Sequence, residues 1–261
     1  MLPGEGAALT RHRRRRLGRT LRRAAFLAML SVPAPDLSAQ EVEDPFEPVN
    51  RAVFGFNLFA DEWVLEPVAR GYRAVTPVPV RRSVANFLSN LRSPVIFVND
   101  LLQGERDRAG VTLGRFMINS TLGVFGLFDA ASAFGHYPHY EDLGQTLGVY
   151  GVASGPYLVL PLLGPSSARD AAGRVGDYFI NPLNECCIST DERLALFGAG
   201  AVSEREANIE LLDDLEANSI DFYATIRTIY AQRRAADIRN GAPAADQEGY
   251  DEIFEDEVID P

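Results

Sequence analysis

Between Leu143 and Ala168 the chain runs for 26 residues without a charge, LGQTLGVYGVASGPYLVLPLLGPSSA, and yet it holds five glycines and three prolines. A helix interior loses about 1 kcal/mol for each Gly and about 3 kcal/mol for each Pro relative to Ala, so the stretch cannot form a simple spanning helix. In hydrocarbon, every backbone group left unpaired adds to the cost. Apolar backbone that is not helical has two homes. It lies in a protein core, or, at membrane depth, where protein covers it or where it lines a cavity.

The N-terminal 39 residues read as a removable export signal. Arg11, Arg13 to Arg16, Arg19, Arg22 and Arg23 form a basic region, Ala24 to Val32 an apolar segment, and Leu37-Ser38-Ala39 a cleavage point after Ala39. Nine apolar residues are too few to cross roughly 30 Å of hydrocarbon as a helix. Removing this segment takes away eight Arg against Glu5 and Asp36, so the formal charge moves from −11 to −17. An acidic mature chain excludes nucleic acid as a partner class, because phosphate binding needs clustered positive charge. The two cysteines, Cys186 and Cys187, are adjacent. They cannot staple distant parts of the chain, and without nearby His they are not a zinc spacing. They read as an incidental pair, oxidised in an export compartment. Gln40 is the expected first mature residue, so no lipobox cysteine is available there. Residues 241–261 are acidic without a base and read as a disordered tail.

Residues 40–240 read as one all-α domain. Phe46 to Val64 places Val49, Val53, Phe56, Phe59 and Trp63 three or four apart, with Asn50, Asn57 and Asp61 on another side, which is the pattern of a two-faced helix. Val80 to Leu91 reads as a short helix. Ser93-Pro94 and Gly104 enclose a second short helix, Pro94 to Gln103, of about 15 Å, half a bilayer core. Glu105 to Leu122 forms another, with Arg115 and Asn119 one turn apart. Gly123, Gly126 and Gly135 break the next stretch into turns, and Tyr157 to Leu160 is the one run with strand character. Asp170 to Asn181 is weakly helical and ends at Pro182. Ser203, with Glu206 three residues on, caps a long helix reaching about Asp237, with Ile209, Leu212, Ile220, Tyr223, Ile226 and Tyr230 as its buried stripe.

Catalytic signals are weak. His136, His139, Glu141 and Asp142 form one cluster with metal-ligand or acid-base character, but Gly135 and Pro138 place it in a loop, and no further element completes a site. Ser154 lacks the nucleophile-elbow spacing, and no phosphate loop occurs. Gly144, Gly148, Gly151 and Gly155 fall four, three and four apart, a spacing that permits close helix packing until Pro156. No enzyme activity, cofactor or metal is expected. Short apolar helices and an uncharged glycine-rich segment favour a lipid or interface role.

Four ordered strings carry a specific resemblance: DPFEPVNRAVFGFN (Asp44 to Asn57), SPVIFVNDLLQG (Ser93 to Gly104), GRFMINSTLGVFGLFDAA (Gly114 to Ala131) and EDLGQTLGVYGVASGPYLVLPLLGPSSARD (Glu141 to Asp170). They resemble the VacJ/MlaA family of bacterial outer-membrane phospholipid-transport proteins, and the likeness extends to about Arg234. The resemblance implies a helical ring in the inner leaflet of the outer membrane around an amphipathic channel. It also implies removal of misplaced phospholipid from the outer leaflet, association with a trimeric porin, and hand-over to a soluble periplasmic carrier serving an ABC transporter with an MCE-domain protein. On that basis Phe56, Asn57, Asn119, Gly123, Phe125 and Gly126 are expected near the lipid path, with Gly148, Gly151, Gly155, Pro156 and Tyr157 shaping its wall. A soluble periplasmic lipid-binding protein is the alternative, and a hydrolase using His136 or His139 a third reading.

Overall fold

The computed structural model describes residues 44–242; the expected export signal and nearly all of the acidic tail lie outside the described residues. Helix α1 (Glu47–Ala60) runs through a π-helical segment, Asp61–Leu65, into α2 (Glu66–Val75). The widening has a chemical cause. Pro67 has no N–H to give to the carbonyl of Trp63, and its ring crowds that oxygen. The backbone instead bonds the Glu66 N–H to Asp61 O, five residues back.

Helix α3 spans Val78–Gln103 in one piece and carries Pro94 inside it. The expected break at Ser93-Pro94, and with it the separate half-bilayer helix, is therefore corrected: 26 residues make a rod of about 39 Å. Proline costs a helix interior about 3 kcal/mol. Packing of α3 on α4 (Arg106–Thr121) opposes that cost, because Asn90, Ser93, Ile96, Asn99 and Asp100 are all buried along α3. Tertiary contact has overridden a local signal for a new helix start. No helix among the described residues is long and apolar enough to cross a membrane.

After the one-turn helix α5 (Ala130–Ala133) comes α6 (Leu143–Val149), followed by β1 (Tyr157–Leu160) and β2 (Gly164–Ser167). The strands are antiparallel, with Tyr157 opposite Ser167 and Leu160 opposite Gly164. Thus the uncharged segment becomes a short helix, a turn and a hairpin, which satisfies its backbone without a spanning helix. Helix α7 (Ala168–Ile180) packs on α6 at a place that admits no side chain: a Cβ on Gly173 would stand 2.4 Å from the Gly144 nitrogen.

Helices α8 (Pro182–Cys186), α9 (Thr190–Ala207), α10 (Ile209–Asn218) and α11 (Phe222–Ile238) complete the chain. The expected single helix from Ser203 is corrected to parts of three. Ser203 lies buried within α9, and the capping box is Ser189 with Glu192. Ser219 is extended and ends α10, and Asp221 starts α11 by accepting from the Ala224 N–H at 3.2 Å. Of the expected stripe, Ile209 and Tyr223 are buried, whereas Ile220 is fully exposed in the break. The apolar core is small and aromatic. Tyr157, Val159 and Tyr223 pack with Val53, Phe54 and Tyr230, and the Phe54 and Tyr157 rings meet Tyr223 edge-on at 5.4 and 6.1 Å.

Candidate functional site

Among the described residues, 8 hydrophobic side chains are buried while 35 large hydrophobic ones are exposed, and 16 polar or charged residues are buried. Scattered exposed apolar residues are ordinary, but twice as many buried polar as buried hydrophobic residues, with large aromatic and aliphatic side chains left outside, departs from the usual arrangement. Val49, Phe56, Phe59 and Trp63, spaced seven, three and four apart, form one exposed face of the α1 rod. Its opposite side carries Asn50, Asn57 and Asp61, and these face protein.

Asn50 and Asn57 hold the hairpin. Asn50 donates to Tyr157 O at 2.9 Å and accepts from the Val159 N–H at 2.9 Å. Asn57 donates to Leu160 O at 3.0 Å and accepts from the Leu162 N–H at 2.8 Å. The fit is geometric. Seven helical residues rise about 10 Å, and the three-residue step along β1 from Tyr157 to Leu160 spans about the same. Each amide side chain thereby stands in for a missing neighbouring strand at the hairpin edge.

A second constellation surrounds the turn after α4. Val124, Phe125 and Gly126 take φ values of 52°, 57° and 87°, three left-handed residues in succession. Such conformations cost roughly 1–2 kcal/mol for each residue with a side chain. Opposing bonds hold the turn: the Gly126 N–H donates to Asn119 O at 2.8 Å and the Phe128 N–H to Gly123 O at 2.9 Å. Asn119 also donates to Asp129 at 3.1 Å and accepts from the Ala131 N–H at 2.9 Å. A Cβ on Gly126 would meet Asn90 at 2.7 Å, and one on Gly123 would meet Phe128 O at 2.2 Å. This close framework thrusts Leu122, Phe125 and Phe128 outward, Phe125 being 77% exposed.

Behind these surfaces lies a polar network joining α3, α4, α6 and α7. Asp100 accepts from the Thr112 hydroxyl at 2.6 Å and lies 2.9 Å from His139 Nε2. Glu141 accepts from Arg108 at 2.6 Å and Gln103 at 2.8 Å, and Gln103 reaches Thr146 at 3.1 Å. Thr146 donates to Asn99 at 2.8 Å, and Asn99 donates to Asp177 at 3.0 Å. Asp177 also accepts from the Leu143 N–H at the start of α6. Burial raises the Glu141 carboxyl above its ordinary range despite Gln103 and Arg108. It pushes Asp177 up to about 6, against hydrogen bonds from Asn99 and Leu143. Burial also pushes Asp170 upward, but hydrogen bonds from Arg234 and Tyr230 outweigh it and hold this carboxyl below its ordinary range. Arg234 bridges Asp142 and Asp170 at 2.8 Å each, tying α11 to the α6–α7 pair.

The residues expected along a lipid path thus fall into three places. Phe56 and Asn57 stand on α1, the first exposed and the second on the hairpin; Asn119, Gly123, Phe125 and Gly126 come together at the strained turn. Gly148 lies in α6, Gly151 and Gly155 occupy left-handed turns, and Pro156 leads into Tyr157, which is enclosed in the aromatic core. Sequence reasoning missed Asn50, which repeats the role of Asn57 two turns earlier, and Asp177, whose partners are distant in sequence. The spacing of the two asparagines was the available signal. His139 belongs to the structural network, and His136 contributes its carbonyl to Arg115. No cluster of metal-binding side chains occurs among the described residues.

A family model described as MlaA lipoprotein matches residues 42–237. An uncharacterized protein of Rickettsia typhi is 39% identical over 200 residues, covering 76% of this chain and 79% of that protein. The Escherichia coli K12 protein named intermembrane phospholipid transport system lipoprotein MlaA is 34% identical over 213 residues, covering 78% and 82%. Its Haemophilus influenzae namesake is 34% identical over 205 residues, covering 77% and 81%. A solved structure described as the structural basis for maintenance of bacterial outer membrane lipid asymmetry matches with a TM-score of 0.69 and 32% identity, covering 75% of this chain and 99% of that one. Family model, sequence relatives and solved structure agree, and the chain belongs to the MlaA lipoprotein family.

Proposed function

We propose that this protein transports phospholipid and maintains outer-membrane lipid asymmetry, seated in the periplasm-facing leaflet around a path that amphiphiles enter. The observation that carries the reading is the inverted surface: exposed Phe, Trp, Leu and Val around a buried polar frame, with no helix among the described residues suited to crossing the bilayer. A face of that kind is stable only against hydrocarbon or another apolar surface. Moving Phe56, Phe59, Trp63, Phe125 and Phe128 from half-exposure into acyl chains contributes about 1–1.5 kcal/mol each. Together that is about 5–7.5 kcal/mol, comparable to a single acyl anchor.

Transfer itself requires no covalent chemistry. A phospholipid crosses when its head group finds polar lining and its chains find apolar lining, and the barrier falls by the desolvation that is avoided. The turn at Gly123–Phe128 and the segment between α6 and β1, with Gly151, Gly155 and Pro156, supply irregular backbone suited to such a path. Lipid would leave toward a soluble periplasmic carrier feeding an MCE-domain ABC transporter, with a trimeric porin as the outer-membrane partner. Direction then arises downstream.

Deletion of the protein tests the reading. Surface phospholipid, measured by labelling intact cells with an outer-leaflet phospholipase, should rise, detergent tolerance should fall, and both should return with the wild-type chain. Unchanged outer-leaflet composition would contradict it, and recovery of the protein wholly in the carbonate-soluble fraction would favour a soluble lipid binder.

A further inference from the structure

The hairpin tip carries a side chain that the transport reading does not use. Pro161, Leu162 and Leu163 connect β1 to β2, and after the proline two leucines stand where turns ordinarily carry Gly, Asn, Asp or Ser. Leu162 holds a left-handed φ of 61° and is 64% exposed, with Leu163 at 47%. Two helices fix this apolar tip. Asn57 of α1 takes the Leu162 N–H, and Arg174 of α7 donates to Leu163 O at 3.2 Å and to Pro165 O at 3.3 Å.

Arg174 spends two of its five N–H groups on carbonyls and, among the described residues, makes no ion pair. Its neighbourhood is poor in anions, since residues 143–168 contain no charge, and Asp170 and Asp177 are engaged with Arg234 and with Asn99. One turn of α7 beside it, Val175, Tyr178 and Phe179 share an exposed face. A lone guanidinium with free donors therefore stands beside two leucines and an aromatic face, on an otherwise acidic protein. Charge complementarity calls for an anion, and the apolar surroundings call for one attached to hydrocarbon. We propose that Arg174 and the Leu162-Leu163 tip form a phospholipid head-group site, the guanidinium binding the phosphodiester and the leucines entering the acyl region beneath it. The site rests on the leaflet-seated reading and names the part of the lipid that this corner of the molecule recognises. A guanidinium matches a phosphodiester through paired N–H donors, which a lysine ammonium reproduces only as a point charge.

The test uses the full mature chain reconstituted into vesicles of equal phosphatidylglycerol and monogalactosyldiacylglycerol, then re-extracted in mild detergent with retained lipids counted by mass spectrometry. Wild type should retain phosphatidylglycerol over the phosphate-free lipid, and Arg174→Gln should lower that ratio about three- to tenfold. Leu162→Asn, a residue that tolerates the left-handed backbone, should keep the fold and lose total retained lipid. Inorganic phosphate in excess should not displace the lipid, because it brings no chains. An unchanged ratio in Arg174→Gln, or displacement by phosphate alone, would overturn the site. Trp63, the single tryptophan, separates the two levels of failure. If its emission shifts to the blue in vesicles while the ratio is unaffected, only the head-group site falls; if it stays as in water and no lipid is retained, the leaflet-seated reading and the site fall together.

Discussion

Two protruding turns present apolar side chains to the outside, and they are held in opposite ways. The turn at Gly123–Phe128 closes so tightly that a Cβ on Gly123 would strike backbone and one on Gly126 the Asn90 side chain, with Asn119 bonding its flanks. The tip at Pro161–Gly164 has open space around Gly164 and is held by two side chains from separate helices, Asn57 and Arg174. Rigidity at the first comes from shape, at the second from replaceable hydrogen bonds. Sequence change should therefore be tolerated in very different measure at the two places.

Gly123→Ala breaks the comparison most severely. Its Cβ would lie 2.2 Å from Phe128 O and 2.5 Å from Asn119 O, both backbone atoms, so the turn must rearrange. We expect a loss of about 3–5 kcal/mol in denaturant unfolding of the detergent-solubilised protein. The matched Gly164→Ala, with φ of 75° but nothing near its Cβ, should lose about 1 kcal/mol. Equal losses would remove the distinction.

The asparagine clamp sharpens it. Asn50→Ala strands Tyr157 O and the Val159 N–H in a buried setting and should lose about 2–4 kcal/mol. Asn57→Ala frees groups nearer the surface and should lose about 1–2 kcal/mol, visible as faster amide exchange at Leu162.

Asp177 gives a smaller, pH-dependent effect. Its carboxyl is raised from an ordinary 3.8 to about 6, so the folded protein binds this proton more tightly than the unfolded chain does. The stability it contributes is full below about pH 4 and disappears as pH rises through 6. Discounted for partial exposure, the difference is about 1 kcal/mol. Comparing unfolding midpoints at pH 4.5 and 7.5 should show the gain in wild type and its loss in Asp177→Asn. The smallest change is expected for Leu162→Asn, within about 0.5 kcal/mol of wild type in unfolding measurements, because Asn accepts φ of 61° more readily than Leu.

The helical class and the positions of most helices were legible because apolar spacing and cap residues are local signals. So was the strand at Tyr157–Leu160, which sits among glycines and prolines that exclude a helix. What escaped depends on partners far along the chain. Ser93-Pro94 reads as the start of a new helix, yet α3 runs through it unbroken because α4 packs alongside. Ser203 and Glu206 read as a helix start, whereas the same pattern at Ser189 and Glu192 is the one used, with Glu206 engaged by Arg73 and Arg81. At the site, the glycines of the strained turn were legible as glycines, but Asn50 became meaningful only with a strand beside it. The alternation of α1 identified two faces without saying which one meets protein. The polar face does, with Val53 and Phe54 joining it in the aromatic core while Val49, Phe56, Phe59 and Trp63 stay outside, an arrangement that a water-soluble fold would have reversed.

That reversal is the central claim, and Trp63 on the apolar face reports on it directly, being 67% exposed in the structure. The decisive measurement is quenching of its fluorescence, in reconstituted vesicles, by lipids brominated along their acyl chains compared with a water-soluble quencher. The account predicts strong quenching by the brominated lipids and protection from the aqueous quencher. Emission quenched from water and indifferent to the lipid bromines would contradict it.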